Sequence, residues 1–145
     1  MGMLYQGIGI DQEALKCYRE AVKVALRGTA DQMSYSLLAS MELANGNKKE
    51  AFQTFNKWIN LYPKSTGAYA ARGSANLSFG NYKEAITDLN RAVDLSPTNS
   101  YAYYKRAGAF LKMGQEKKGL NDLRISARLG NEDAQKILKE NGFEW

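Results

Sequence analysis

The sequence predicts an all-α fold of repeated helical hairpins, and three observations support this prediction. The two prolines of the chain, Pro63 and Pro97, stand 34 residues apart in the similar contexts Asn-Leu-Tyr-Pro and Asp-Leu-Ser-Pro. The same interval aligns glycines with glycines and large apolar residues with one another. A fixed period of this length is typical of helical repeats, in which each unit packs on its neighbours. The aligned columns are Tyr35, Tyr69 and Tyr103; Gly46, Gly80 and Gly114; Ala51, Ala85 and Gly119; Phe55, Leu89 and Leu123; and Leu61, Leu95 and Leu129.

Each unit is predicted to be a helix, a short turn and a second helix. In the first full unit Tyr35, Leu38 and Ala39 follow the spacing of one helix face. Gly46 predicts the end of that helix, because glycine takes the left-handed backbone conformation readily. Pro63 predicts the end of the second helix, since it has no amide hydrogen to donate. We expect helices over residues 11–27, 31–45, 48–61, 66–79, 82–95, 101–113, 116–129 and 132–140, and no strand.

Polar residues next to these helices predict how the ends are capped. Asn47 and Asn81 each precede a glutamate by three residues, which is the pattern of a capping box. Asn131 is predicted to cap the last helix at its start, and Gly142 is predicted to end it.

The composition favours a soluble protein. A chain of 145 residues with 44% hydrophobic residues can form one domain. Its apolar runs are all shorter than the roughly 20 residues that cross a bilayer, and its start lacks the pattern of a secretion signal. The single cysteine, Cys17, cannot form an internal disulfide. We therefore expect a cytoplasmic protein without a membrane partner.

Catalysis is not expected from these residues. The chain has no histidine, which is the commonest general base and metal ligand. Cys17 has no second thiol to activate it, and the segment Gly7-Ile8-Gly9 lacks the lysine of a phosphate-binding loop. We expect neither an enzyme nor a bound cofactor or metal.

The second full unit resembles a tetratricopeptide repeat (TPR). The resemblance is carried by Tyr69, Gly73, Gly80-Asn81-Tyr82, Ala85, Leu89, Ala92 and Pro97. It implies a right-handed α–α superhelix, or solenoid, with a C-terminal capping helix. The implied single TPR-like domain over 1–145 contains a partial repeat at 1–31, full repeats at 32–65, 66–99 and 100–131, and a capping helix and tail at 132–145.

At one position two of the repeats depart from the TPR pattern by having a charged residue in place of an apolar one. Arg72 and Arg106 stand where the first full repeat has Leu38. We expect their stems to lie along apolar surface while their charged heads reach water.

The resemblance also implies a non-catalytic scaffold with a concave groove, lined by the first helix of each repeat, that binds a peptide or a partner helix. The groove would be largely small and apolar, with lysines at one end. Such a surface favours an apolar or helical ligand segment with an acidic group near the lysines. The predicted peptide-binding residues are Leu37, Ser40, Leu43, Ala70, Ser74, Leu77, Tyr101, Tyr104, Lys105, Leu111 and Lys112.

Other interpretations of this surface stay open. The leucine ladder Leu43, Leu77 and Leu111 could equally belong to the core. The groove could also be filled by self-association, either by a second copy of the chain or by the C-terminal segment Phe143-Glu144-Trp145. Some TPR proteins clamp the acidic C-terminus of chaperones with several cationic side chains. This sequence keeps one of those positions, Lys105, so a clamp of that type is not expected.

Nucleic-acid binding is the alternative function. The net charge of +5 would permit it, but the positive charge is spread along the chain without a basic arm, so nucleic acid is the weaker interpretation. The residues that would contact phosphates and stack on bases are Arg72, Arg106, Lys105, Lys112, Lys117 and Lys118 with Tyr101 and Tyr104.

Overall fold

The computed structural model describes residues 13–17, 19–20 and 32–145. Within residues 32–145 the chain forms seven helices and no strand. Each helix boundary lies within one residue of the predicted one, so the all-α prediction is confirmed. The helices are α1 (Gln32–Ala44), α2 (Lys48–Leu61), α3 (Thr66–Ser78), α4 (Tyr82–Leu95), α5 (Ser100–Lys112), α6 (Glu116–Arg128) and α7 (Glu132–Glu140).

The predicted N-terminal helix over 11–27 is described only in part. Residues 13–17 and 19–20 are helical. The rest of that helix, and most of the predicted partial repeat at 1–31, lies outside the described residues.

The chain divides into two compact units, Met1–Pro63 and Lys64–Trp145. In the first unit α1 pairs with α2. In the second unit α3 pairs with α4, α5 pairs with α6, and α7 packs on α6. Here α4 also packs on α5, and the two first helices α3 and α5 lie beside each other. The assignment of the whole chain to a single domain stays a prediction.

Residues in the same repeat column have similar burial. In the tyrosine column Tyr35 and Tyr103 are buried and Tyr69 is half-buried. The small and large apolar columns are buried because they form the contact between the two helices of each hairpin. Their members are Ala51, Ala85 and Gly119; and Phe55, Leu89 and Leu123.

The first helices of the hairpins end in the glycine motif that the sequence predicts. After α3, Gly80 has a φ of 76°, and its amide donates to the carbonyl oxygen of Leu77 at 3.1 Å. The next amide, of Asn81, donates to the carbonyl oxygen of Asn76 at 2.9 Å. These two hydrogen bonds form a Schellman motif, which satisfies carbonyl groups that the helix leaves free. Among the residues that the structure describes, the other glycines with positive φ are Gly46, Gly114, Gly130 and Gly142.

The predicted capping boxes at Asn47 and Asn81 are wrong. Neither side chain makes a capping hydrogen bond. A capping residue normally has an extended backbone, whereas the ψ angles here are 60° and 66° because both residues complete the preceding glycine motif. Asn131, with a ψ of 110°, does cap α7, as predicted, by accepting from the amide of Ala134 at 2.9 Å. Ser65 and Asn99 cap α3 and α5 in the same way.

Replacing Gly80 by alanine should lower the free energy of unfolding by about 1–2 kcal/mol, because a Cβ is strained at a left-handed φ. The matched control is Gly108→Ala. A Cβ there would lie 3.5 Å from Leu77 Cδ2, an ordinary contact, so its higher helix propensity should add up to about 1 kcal/mol. Urea unfolding of both variants measures the difference. Equal effects of the two substitutions would contradict the assignment of the turn.

Replacing Tyr35 by phenylalanine should preserve stability at neutral pH or raise it by up to about 1 kcal/mol. The buried Tyr35 hydroxyl has no hydrogen-bond partner among the described residues. Burial, and to a smaller extent Tyr62, raises the pKa of Tyr35 above its usual 10.0.

The raised pKa also predicts a dependence on pH. The native state holds the Tyr35 proton more tightly than the unfolded chain does. The stability that comes from this tighter proton binding is therefore complete below about pH 10, and it is lost as the pH rises through the native pKa of Tyr35. Urea unfolding in neutral and alkaline buffers should show a smaller alkaline loss in Tyr35→Phe than in the parent chain. An identical loss in the two proteins would contradict this reasoning.

Candidate functional site

The predicted groove residues of the second unit lie on α3 and α5. Two contacts join these helices. The Tyr101 hydroxyl donates to Ser74 Oγ at 3.0 Å. Leu77 Cδ2 lies 3.5 Å from the point where a Cβ on Gly108 would stand, so the leucine packs over bare backbone. Side chains of α3 and α5 therefore form one continuous surface.

A lysine held by two aromatic rings stands at one end of this surface. Lys105 Nζ lies 5.2 Å from the ring centroid of Tyr101 and 5.6 Å from that of Tyr104. Both distances are within the range of cation–π attraction. Tyr101 is 43% exposed, whereas Tyr104 is half-buried and packs partly on the core. The rings thus fix an ammonium group at the surface. Lys112 is exposed two turns further along the same face of α5.

The side chains of Leu77 and Leu111 in the ladder are partly buried and partly exposed. Leu111 is 40% exposed, and its other side rests on Gly119 of α6, where a Cβ would lie only 2.6 Å from Leu111 Cγ. Leu77 is half-buried and packs against the core cluster of the second unit. Each leucine therefore offers one side to a ligand and uses the other for packing.

Ala70 differs from its predicted neighbours. It is 4% exposed and belongs to the core cluster that contains Leu89 and Tyr103. A ligand cannot reach this side chain, so the candidate groove of the second unit consists of the remaining residues. These are Ser74, Leu77, Tyr101, Tyr104, Lys105, Leu111 and Lys112.

The three predicted groove residues of the first unit lie on α1. Leu37 is 39% exposed, Ser40 is exposed and Leu43 is half-buried. Met33, one turn before Leu37, is 68% exposed. Because these positions recur at helical spacing, α1 presents an exposed face that is largely apolar.

The two arginines predicted to reach water instead bind buried aspartates. Arg72 donates from Nε and Nη2 to Asp88 at 2.8 and 2.7 Å. Arg106 makes the same pair of bonds to Asp122 at 2.7 and 2.9 Å. This arrangement was missed, although the sequence contains a signal for it. Both the arginines and the aspartates recur at the repeat interval of 34 residues.

These ion pairs occupy the guanidinium groups of both arginines. Hydrogen bonding to the Asp88 carboxylate, which accepts from the guanidinium group, is the main effect that raises the pKa of Arg72. Burial is the largest single effect on the pKa of Arg106, and it lowers that pKa. The hydrogen bonds and charge of Asp122, together with smaller effects of Tyr103 and Asp94, outweigh burial, so the pKa of Arg106 is raised. Two of the six cations proposed for nucleic-acid binding are therefore engaged within the fold.

The first unit satisfies a buried carboxylate in another way. Glu42 is buried, and its Oε2 accepts from Thr54 Oγ1 at 2.7 Å. Its Oε1 lies 3.5 Å from Nε of Arg19. This carboxylate is therefore paired inside the fold rather than presented to a ligand.

Residues 13–17, 19–20 and 32–145 hold no group of three cysteine, aspartate or glutamate side chains placed to bind a metal ion. No helix in the same ranges is long and apolar enough to span a bilayer.

Two protein-family models match the sequence. A model described as TPR repeat matches residues 77–114, and one described as tetratricopeptide repeat matches residues 12–66. No curated protein matches the chain at a significant level.

Solved structures share the fold at low sequence identity. The crystal structure of MamA matches with a TM-score of 0.72 and 21% identity, over 98% of this chain and 86% of MamA. YrrB, described as a TPR protein with an unusual peptide-binding site, matches with a TM-score of 0.73 and 18% identity, over 93% of this chain and 69% of YrrB.

A third structure is the first TPR of Spaghetti (RPAP3) bound to the HSP90 peptide SRMEEVD. It matches with a TM-score of 0.69 and 21% identity, over 75% of this chain and 88% of that domain. The family models, the repeated helical hairpins and these shared folds together show that the chain is a tetratricopeptide repeat protein.

Proposed function

We propose that this TPR protein is a non-catalytic interaction module that binds a peptide or a partner helix on the surface formed by α3 and α5. The observation that carries the proposal is the Lys105 ammonium group, held by Tyr101 and Tyr104 on the helix that also carries the exposed side of Leu111. A charged group fixed next to apolar surface can orient a ligand whose binding energy comes mainly from burial.

The chemistry of the surface indicates the chemistry of the ligand. Leu77 and Leu111 offer partly exposed aliphatic surface, and the tyrosine rings offer rigid area at low entropic cost. Lys105 and Lys112 offer two cations that would pair with carboxylates. A segment with apolar side chains and an acidic group therefore fits this surface.

The first unit adds a second contact surface to this proposal. The exposed apolar side chains of Met33 and Leu37 stand on α1, the first helix of its hairpin, beside Ser40 and Leu43. We propose that this face of α1 also binds an apolar ligand segment and that residues 1–145 form one TPR-like domain.

A protein partner is favoured over nucleic acid and over the chain's own tail. The guanidinium groups of Arg72 and Arg106 are bound to aspartates, which leaves four lysines for phosphates. The C-terminal segment Phe143-Glu144-Trp145 packs on α6 and not in the groove. Arg124 Cζ lies 5.9 Å from the Phe143 ring centroid, and Arg124 Nε donates to the carbonyl oxygen of Glu144 at 3.2 Å. The peptide bound to the Spaghetti TPR domain shows that a similar fold accommodates a peptide ligand.

Replacing Leu111 by lysine should weaken partner capture from a cell extract by about tenfold or more, because it removes a central apolar contact. The exposed side of Leu111 makes this substitution gentler on the fold than one at the half-buried Leu77. The control is Lys83→Glu, an exposed position on α4. Quantitative mass spectrometry should find the same proteins retained by the parent chain and the control. Equal retention of these proteins by Leu111→Lys, with unchanged thermal unfolding, would contradict binding of the partner in the groove.

Replacing Lys105 by glutamine should weaken binding of the captured partner severalfold and reduce its salt dependence, since one screened charge pair is lost. The comparison is Tyr101→Phe, which loses the bond to Ser74 but keeps the aromatic ring, and should have a smaller effect. Calorimetry at low and high salt measures both. An unchanged salt dependence in Lys105→Gln would exclude a carboxylate at this lysine. Copurifying nucleic acid that is lost in Lys105→Gln would support the alternative function.

A further inference from the structure

A second concave surface lies on the side of α5 that faces away from the proposed groove. It is an open cleft of about 430 Å³. Because an α-helix turns by about 100° per residue, Arg106 and Phe110 point about 100° and about 140° around α5 from Lys105. The lining residues are Arg106, Phe110, Lys117, Lys118, Asn121 and Asp122.

The cleft has a net positive charge. The charges of Arg106 and Asp122 cancel in their buried ion pair, and Arg106 Nη1 also donates to Asn90 Oδ1 at 2.9 Å. Lys117 and Lys118 contribute two further positive charges on exposed side chains. Asp94 acts on Arg106 from outside the lining, and Glu116 precedes the two lysines without lining the cleft.

An aromatic ring separates the cations of the cleft. Lys118 Nζ lies 5.4 Å from the Phe110 ring centroid, and Arg106 Cζ lies 5.9 Å from it. Phe110 is half-buried, so part of its ring forms an apolar wall between the two charged groups. Anionic and apolar groups of one ligand would therefore find neighbouring contacts here.

The preceding repeat shows that the fold does not require this chemistry. At the positions 34 residues earlier, the ion pair is conserved as Arg72 and Asp88. Phe110 corresponds to Asn76, and Lys118 corresponds to Glu84. The hairpin of α3 and α4 forms with these other residues, so the ring and the second lysine are particular to the hairpin of α5 and α6.

We propose that this outer cleft binds an acidic segment of a partner protein, with carboxylates at Lys117 and Lys118 and an apolar side chain against Phe110. The opposite charges of cleft and segment steer association and fix the register of the ligand. The volume of the cleft is in the range of sites that hold several groups of one ligand. The Phe110 ring offers an apolar contact that inorganic phosphate cannot use. This surface is separate from the groove and does not depend on it.

Nuclear magnetic resonance titration with a defined probe tests the proposal. The probe is an acetylated peptide of four glutamates around one leucine, and the control peptide has glutamines in place of the glutamates. The probe should shift the amide signals of Phe110, Lys117, Lys118 and Asn121, and the control peptide should not. Shifts confined to Ser74, Tyr101 and Lys105 would place the probe in the groove and overturn the cleft proposal. The absence of shifts would overturn it as well.

Two matched variants and one competitor complete the test. Lys118→Glu introduces the residue that the preceding repeat has at this position, and it should lower the affinity for the probe peptide about tenfold. Lys83→Glu, which corresponds to position 117 in the preceding repeat, should change the affinity less than twofold. Both side chains are exposed, so thermal unfolding should be unchanged. Equal weakening by both variants would indicate non-specific charge attraction and overturn the proposal. Displacement of the probe by an equal concentration of inorganic phosphate would indicate a simple anion site and overturn it too.

Discussion

The close approach of the two helices in each hairpin is the constraint on which the rest of this protein depends. At Gly73 a Cβ would lie 2.8 Å from Leu89 Cγ and 3.2 Å from the carbonyl oxygen of Ala85, so α3 and α4 meet with no room for a larger residue. Where α5 and α6 meet, Gly119 is equally confined, because a Cβ there would lie 2.6 Å from Leu111 Cγ and 3.2 Å from the carbonyl oxygen of Ala107. In the first unit Ala51, at the corresponding position, is fully buried. Small residues at these points let the larger apolar side chains interdigitate, and that burial is the main stabilising contribution.

The same contact decides which surfaces are left for binding. Because α4 and α6 bury one side of α3 and α5, the opposite side of α3 and α5 faces solvent with Ser74, Lys105 and the outer side of Leu111. The ion pair of Arg106 and Asp122 closes the other side of the α5 hairpin and leaves a cleft next to Phe110. One pattern of packing thus leaves two separate surfaces on one helix.

The polar residues within the hairpins are internal connectors. Buried carboxylates are costly unless they are paired, and Asp88, Asp122 and Glu42 all have partners in the fold. Pairing them takes Arg72 and Arg106 out of the set of free cations. The free cations of the groove are therefore Lys105 and Lys112, and those of the cleft are Lys117 and Lys118.

The sequence by itself determined the helices, their ends and the family. Those features depend on local rules, namely helical spacing, the left-handed conformation of Gly46 and Gly80, and the missing amide hydrogen of Pro63. Only the tertiary structure decided that Ala70 is buried and that Arg72 binds Asp88. These outcomes depend on which side chains meet across neighbouring helices. Spacing along one helix does not fix that, because a residue on the edge of a face turns inward or outward according to the helix beside it.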